Sequence, residues 1–334
     1  EPSPYTQPPG FHGELRPYQE VGVGWMRTLA IAGLGGCLAD DMGLGKTVQA
    51  LAFLLSLETD PIANTVGPVL IVAPRSLLWN WASETTRFVP GRTLRIHHGP
   101  RRARGAADIG SDDWVVTTYG TLQRDVQLLG GIKWSVVILD EAQAIKNPRS
   151  RNAAAVGALA PRVRLALTGT PVENHARDLW SLVAFLDPGL LGTERRFLER
   201  TARDADPTHR TLLARTIAPL ILRRTKEQVA PELPPRIEQT ILVPLSDQQQ
   251  ELYEKLREAG ARALSEDLDG GTARMNVLEV LLRLRQVACH PGLIDPSHTA
   301  SGKIDLLIDE LVQVTGSGHK ALVFSQFVKL LDLV

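Results

Sequence analysis

The chain has 334 residues, 43% of them hydrophobic, and 37 basic residues balance 37 acidic ones. That length predicts two or three domains with proper cores, and the zero net charge leaves any nucleic-acid contact to local patches. No apolar run reaches the ~18 residues of a membrane helix and no signal-peptide pattern opens the chain, so a membrane or secretory protein is not expected. Cys37 and Cys289 stand in apolar surroundings and read as reduced core residues of a cytosolic protein, not as a disulfide or a metal site.

Residues 1–12 hold four prolines and read as an extended lead-in. Leu15-Arg16-Pro17-Tyr18-Gln19 then opens a helix, with Pro17 in its first turn and Val21, Trp25 and Leu29 at helical spacing. Tyr18 and Gln19 are either an ordinary amphipathic start or a nucleotide contact. A side-chain amide can meet the adjacent donor and acceptor of an adenine edge.

Leu34–Leu38 is a short apolar strand candidate and Val48–Leu57 is an apolar helix candidate. Between them lies Ala39-Asp40-Asp41-Met42-Gly43-Leu44-Gly45-Lys46-Thr47, in the context a phosphate-binding loop needs. Gly43 and Gly45 let the backbone curl its N–H groups inward, and the helix N-terminus adds positive potential. Lys46 would reach the β- and γ-phosphates and Thr47 would put its hydroxyl on Mg²⁺. Asp40 stands where the general pattern has glycine.

Pro68–Ala73 is a continuous β-branched run, hence a strand buried on both faces, and Pro74-Arg75-Ser76 follows at its carboxyl end. Ligands bind at that end of such sheets, so Arg75 and Ser76 are placed to touch something. Leu94–His97 and Trp114–Thr118 are further strands, the latter running into Tyr119. Arg92, Arg95, Arg101, Arg102 and Arg104 form the densest basic patch; it is either a solvated face or a phosphate contact. Trp134–Leu139 delivers Asp140-Glu141-Ala142-Gln143. One carboxylate would hold Mg²⁺ and the other would take a proton from the attacking water. Arg164–Leu167 ends in Thr168-Gly169-Thr170-Pro171. Recurring strand–helix units from 34 to 170 predict a doubly wound α/β domain.

Beyond Asp187-Pro188-Gly189, residues 190–225 have helical spacing and no strand is expected before Arg236–Val243. Leu233-Pro234-Pro235 is a stiff connector. Ser246–Leu264, Asn276–Cys289 and Ser301–Val314 read as helices, and Lys320–Phe324 as a buried strand.

These motifs, with Leu222-Arg223-Arg224-Thr225-Lys226, Cys289-His290-Pro291 and Val323-Phe324-Ser325-Gln326, resemble in order those of the Swi/Snf-type ATPases of helicase superfamily 2, in the bacterial RapA/HepA-like manner. The resemblance covers residues 15 to 327. It implies an ATP- and Mg²⁺-dependent translocase on double-stranded DNA, with RNA polymerase or another DNA-bound protein as partner. It also implies a cytoplasmic, nucleoid-associated protein, or a nuclear one in a eukaryote. The implied architecture is a RecA-like P-loop lobe over 15–187, helical protrusions over 188–232 and 233–300, and the start of a second RecA-like lobe over 301–334, with a lead-in over 1–14.

Carried over, Arg16, Tyr18 and Gln19 would serve the adenine side and Asp41 to Thr47 the phosphates. Thr47 and Asp140 would hold Mg²⁺, with Lys46, Asp140 and Glu141 as the catalytic set. Arg75, Ser76, Thr118 and Tyr119 would lie near the DNA backbone, and Thr168 and Thr170 would couple the two ligands. The family more often has Glu at position 41 and His at position 143. The family's second-lobe arginines would fall beyond residue 334, so weak turnover by this chain alone is expected. A lone strand cannot make a stable sheet, so 301–334 is expected to be poorly ordered or to pack elsewhere. A nucleotide-dependent binding module and a strand-separating helicase are the alternatives.

Overall fold

Strands that read as unbroken apolar runs must be covered on both faces, and the fold does this. The computed structural model describes residues 4–59, 67–100, 102–111, 113–169, 176–202, 207–231, 237–266, 272–298 and 300–334. It divides into two units, Glu1–Pro234 and Pro235–Val334.

In the first unit, seven strands form an all-parallel sheet. In chain order they are β1 (Gly36–Leu38), β2 (Val69–Ala73), β3 (Leu94–His97), β4 (Trp114–Thr118), β5 (Val136–Asp140), β6 (Val163–Leu167) and β7 (Ile221–Leu222). Their order across the sheet is β3-β4-β2-β5-β6-β1-β7. Helices α1 (Pro17–Ile31), α2 (Lys46–Thr59) and α3 (Leu78–Phe88) supply Val23, Trp25, Leu51, Leu54 and Trp81 to one core, with Val69, Ile71, Val136 and Ile138 from the sheet. The alternate strand residues Leu70, Val72, Val137 and Leu139 enter a second core. There they meet Leu122 of α4 (Tyr119–Arg124), Leu129 of α5 (Val126–Gly130), Val156 of α6 (Arg151–Gly157) and Phe185 of α7 (Ala176–Leu186). This is a RecA-like α/β lobe with one helical layer on each face.

Register brings the strand tips level. Leu38 pairs with Leu167, Leu167 with Asp140, Val72 with Leu139 and Ala73 with Thr118. The residues just beyond those tips therefore share one edge of the sheet, where ligands of such folds bind.

The chain past Leu186 departs from expectation. Helices α8 (Glu194–Thr201) and α9 (Pro207–Ile217) are present, but the chain then returns to the sheet as β7. Cys37 and Leu38 pair in parallel with Ile221 and Leu222. Two residues are too short a run to show a period of two, so helical spacing masked this strand. A short helix, α10 (Lys226–Val229), follows.

The second unit holds α11 (Asp247–Glu266), α12 (Thr272–Cys289), α13 (Gly302–Gly316) and α14 (Val328–Leu331). The buried Gln249 of α11 donates its amide N–H to the Val287 carbonyl at 2.6 Å. A Cβ on Gly260 would lie 2.5 Å from Val280, so α11 and α12 cross closely there. The strands expected at 236–243 and 320–324 do not form among the described residues. Leu322 and Phe324 are 85% and 87% exposed. Among the described residues the unit holds no strand to pair with them, and an unpaired strand has no ladder to stabilise it.

Candidate nucleotide site

The loop between β1 and α2 needs left-handed backbone twice. Gly43 has φ +87° and Gly45 has φ +71°. At Gly45 a Cβ would stand 2.6 Å from the Gln19 amide nitrogen, so the Gln19 side chain would have to give way. Three donors converge on the Leu44 carbonyl: the Tyr18 hydroxyl at 3.1 Å, the Gln19 amide at 3.2 Å and the Gln49 amide at 3.3 Å. Gln19 also accepts the Arg16 backbone N–H at 3.0 Å, capping α1. The start of α1 is thus fastened to the loop, with Gln19 buried and Arg16 exposed. Burial raises the Tyr18 hydroxyl pKa.

Lys46 donates to the carbonyls of Asp40 at 2.6 Å and Asp41 at 3.2 Å. Burial lowers its pKa, against the opposing pull of Asp40, Glu141, Asp140 and Asp41. Four carboxylates therefore act on one ammonium. Thr47 is half-buried at the first turn of α2, and Met42 is exposed beside Gly169.

Asp40 explains how the loop tolerates an acid. Its side chain is fully buried and paired with Arg224, which is 12% exposed. Arg224 Nε donates to Asp40 Oδ1 at 2.9 Å and Nη2 to Oδ2 at 2.5 Å. The Arg224 backbone N–H adds a third bond to Asp40 at 3.1 Å. The same guanidinium donates to Gln49 Oε1 at 2.9 Å and to the Tyr18 carbonyl. Gly22 of α1 allows this: a Cβ there would overlap Gln49 Oε1 at 2.0 Å. In the sequence Arg224 stands only as a member of the Leu222–Lys226 motif, and its pairing with Asp40 was missed. The available signal was an acid inside an apolar strand–loop, which requires a cation.

At the tip of β5, Asp140 Oδ2 accepts the Trp81 indole N–H at 2.8 Å, and Oδ1 accepts the Glu141 backbone N–H at 2.9 Å. Burial raises the Asp140 pKa, with the Trp81 bond opposing and Glu141 adding to the rise. Glu141 has φ +50°, the one non-glycine residue in the left-handed region among those described. Such strain persists only where surroundings impose it. The imposed geometry aims the Glu141 carboxylate at Gln143, whose amide donates to Oε2 at 2.8 Å. Gln143 in turn accepts the Thr168 hydroxyl at 3.1 Å. A continuous chain thus runs from Glu141 through Gln143 to Thr168.

The remaining sequence-selected residues lie as follows. Arg75 and Ser76 are exposed beyond β2. Thr118 is buried and caps α4, accepting the Thr121 N–H at 3.1 Å. Tyr119 is buried, and its hydroxyl donates to the Asp140 carbonyl at 2.8 Å, so it buttresses the carboxylate tip. Burial, followed by Asp140 and Glu141, holds its hydroxyl well above the usual pKa. Thr168 is buried, and Thr170 lies outside the described residues. Three arginines of the basic patch are paired: Arg92 with Glu58 at 2.7 Å, Arg95 with Asp113 at 3.2 Å and Arg102 with Asp125 at 2.6 Å, and Arg101 lies outside the described residues. Among the described residues, no cluster of three His, Cys, Asp or Glu side chains could hold a metal ion.

Residues 18–293 match the family model described as the SNF2-related domain. The chain belongs to the SNF2-related family. YwqA of Bacillus subtilis (strain 168), which carries the name of an ATP-dependent helicase/translocase, is 36% identical over 337 residues. The match takes in 96% of this chain and 36% of YwqA. The yeast ISWI chromatin-remodeling complex ATPase ISW1 (Saccharomyces cerevisiae) is 33% identical over 353 residues, covering 99% of this chain and 31% of ISW1. The SNF2-related chain thus spans about a third of the length of these relatives. Among solved structures, the Sulfolobus solfataricus SWI2/SNF2 ATPase core in complex with dsDNA superposes with a TM-score of 0.63 at 35% identity, over 99% of this chain and 70% of that one. No described helix is long and apolar enough to cross a membrane.

Proposed function

We propose that this chain binds and hydrolyses ATP as the nucleotide lobe of a SNF2-type motor that travels along double-stranded DNA and displaces or remodels proteins bound there. The observation that carries the reading is the meeting, on one sheet edge, of the Gly43–Thr47 loop with the Asp140–Glu141 tip, and the latter's hydrogen-bonded link to Thr168. A phosphate loop alone suits any nucleotide binder. A carboxylate pair wired to a neighbouring strand tip suits hydrolysis coupled to a second ligand.

Thr47 and Asp140 offer a hydroxyl and a carboxylate, the hard oxygen donors that fit Mg²⁺. When bound, the ion would neutralise charge between the β- and γ-phosphates. Lys46 would exchange the Asp40 and Asp41 carbonyls for phosphate oxygens, a short move for a flexible side chain. Gln19 and Tyr18 would present the adenine side through their hold on Leu44. Glu141, oriented by Gln143, would accept the proton of the attacking water.

Arg75 and Ser76, exposed at the tip of β2, are the side chains best suited to touch a DNA phosphate. Such contacts are indifferent to sequence, as a motor requires. The Sulfolobus relative carries dsDNA in its own structure, which supports the choice of ligand. RNA polymerase or another DNA-bound protein is the class of cargo that fits.

The test is ATP turnover by the 334-residue chain with and without duplex DNA, alongside nucleotide binding. Glu141→Gln should keep binding and lose turnover; turnover at the original rate would remove Glu141 as the base. Unwinding of a blunt duplex would favour a strand-separating helicase over a translocase. Binding without any turnover would favour a nucleotide-dependent binding module for the chain by itself.

A further inference from the structure

The segment after β7 does more than close the sheet. Along residues 222–226 it is bonded to the phosphate loop atom by atom. The Ala39 N–H donates to the Leu222 carbonyl at 2.7 Å, and the Asp41 N–H to the Arg224 carbonyl at 3.0 Å. The Lys226 N–H donates to Asp41 Oδ2 at 3.1 Å. Arg224 adds its fork on Asp40. This latch fixes the Lys226 backbone beside the loop, and the side chain then lies over Gly43. A Cβ built on Gly43 would be 3.5 Å from both Cε and Nζ of Lys226. The Lys226 side chain is exposed, and its ammonium makes no hydrogen bond or ion pair among the described residues.

The charge count around the loop gives that ammonium a task. Lys46 lies within the field of Asp40, Glu141, Asp140 and Asp41. Arg224 cancels only Asp40. Asp41 remains, with its carboxylate turned to the Lys226 N–H. A polyphosphate entering this loop meets one partly buried lysine against several acids. A second cation at the rim offsets that repulsion, and the strongest phosphate contacts are charge-assisted.

We propose that Lys226 is a second cation for the nucleotide phosphates, delivered to the loop by the Arg224 latch. The proposal rests on the nucleotide reading above and names a residue of the same site supplied from beyond the α/β core. It makes the post-β7 segment part of nucleotide recognition, so displacing that segment would weaken phosphate binding.

The experiment is equilibrium titration of the full 334-residue chain with ADP, AMP and adenosine in the presence of Mg²⁺. Lys226→Gln should weaken ADP binding about threefold to tenfold, the range for a partly solvated charge-assisted contact, and leave adenosine unchanged. Lys226→Arg should restore most of the loss, and the thermal midpoint of the nucleotide-free chain should stay put in both. Arg224→Lys, which keeps the charge and loses the fork, should also weaken ADP binding, and the double variant with Lys226→Gln should lose little more. Equal ADP affinity in Lys226→Gln and the unsubstituted chain would overturn the proposal and leave the nucleotide reading standing. An equal loss for adenosine would overturn the phosphate contact, and fully additive losses would overturn delivery by the latch. Failure of the unsubstituted chain to bind ADP would overturn both readings together.

Discussion

Replacing Arg224 with alanine removes four side-chain bonds: two to Asp40, one to Gln49 and one to the Tyr18 carbonyl. Asp40 keeps only the Arg224 backbone N–H and the Gln49 amide, at 3.1 and 3.2 Å, in a fully buried position. Removing one member of a buried pair costs about 3–5 kcal/mol, because the other charge stays desolvated without its partner. That is a large share of the ~5–15 kcal/mol that holds an ordinary domain together. All six tryptophans lie in the first unit, so urea unfolding followed by tryptophan fluorescence reports on that unit. With a slope of about 2 kcal/mol per molar, the midpoint should fall by roughly 1.5–2.5 M. Asp40→Asn in the same background should recover a good part of the loss, since a neutral amide is cheaper to bury unpaired. A fall below about 1 kcal/mol for Arg224→Ala, or no recovery with Asp40→Asn, would refute the claim that this pair is desolvated and mutually dependent.

Gly45→Ala should abolish nucleotide binding, because it forces a side chain onto φ +71° and against Gln19; binding assayed with a fluorescent nucleotide checks this. Gln143→Ala should lower kcat about tenfold or more with KM nearly unchanged, as it frees Glu141 from Thr168 without touching the phosphate loop; steady-state kinetics with duplex DNA would show it. Trp81→Phe strips Asp140 Oδ2 of its indole donor and should destabilise the first unit by about 1–3 kcal/mol by the same urea assay. Burial pushes the Cys37 thiol pKa up to about 12, so its thiolate is scarce at pH 8 and a disulfide reagent should label it only as fast as the unit opens, while the half-buried Cys289 reacts sooner.

Much of the first unit was legible because its chemistry is written locally. Val69–Ala73 and Val136–Leu139 are unbroken apolar runs, and a strand covered on both faces needs nothing else to declare itself. The turn between β1 and α2 was legible because the left-handed backbone at positions 43 and 45 favours glycine. The carboxylates at 140 and 141 follow a strand that can only end there. By contrast, β7 is two residues long and exists only because β1 offers an open edge to pair with. Lys320–Phe324 has the composition of a strand and no strand partner among the described residues, so composition alone did not make it one there.

The sequence by itself determined the strand cores and the turns that glycine must make, since each depends on residues near in the chain. Tertiary structure decided which charges meet. Arg224 and Asp40 are 184 positions apart, and only the parallel pairing of β7 with β1 brings them together. Trp81 reaches Asp140 across 59 positions because α3 follows β2 in the chain and β2 pairs directly with β5. Tyr119 and the arginines at 92, 95 and 102 look available in sequence, yet packing commits each to a partner. Coulomb and hydrogen-bond energies depend on distance in space, and separation along the chain carries no information about that distance until the sheet order is fixed.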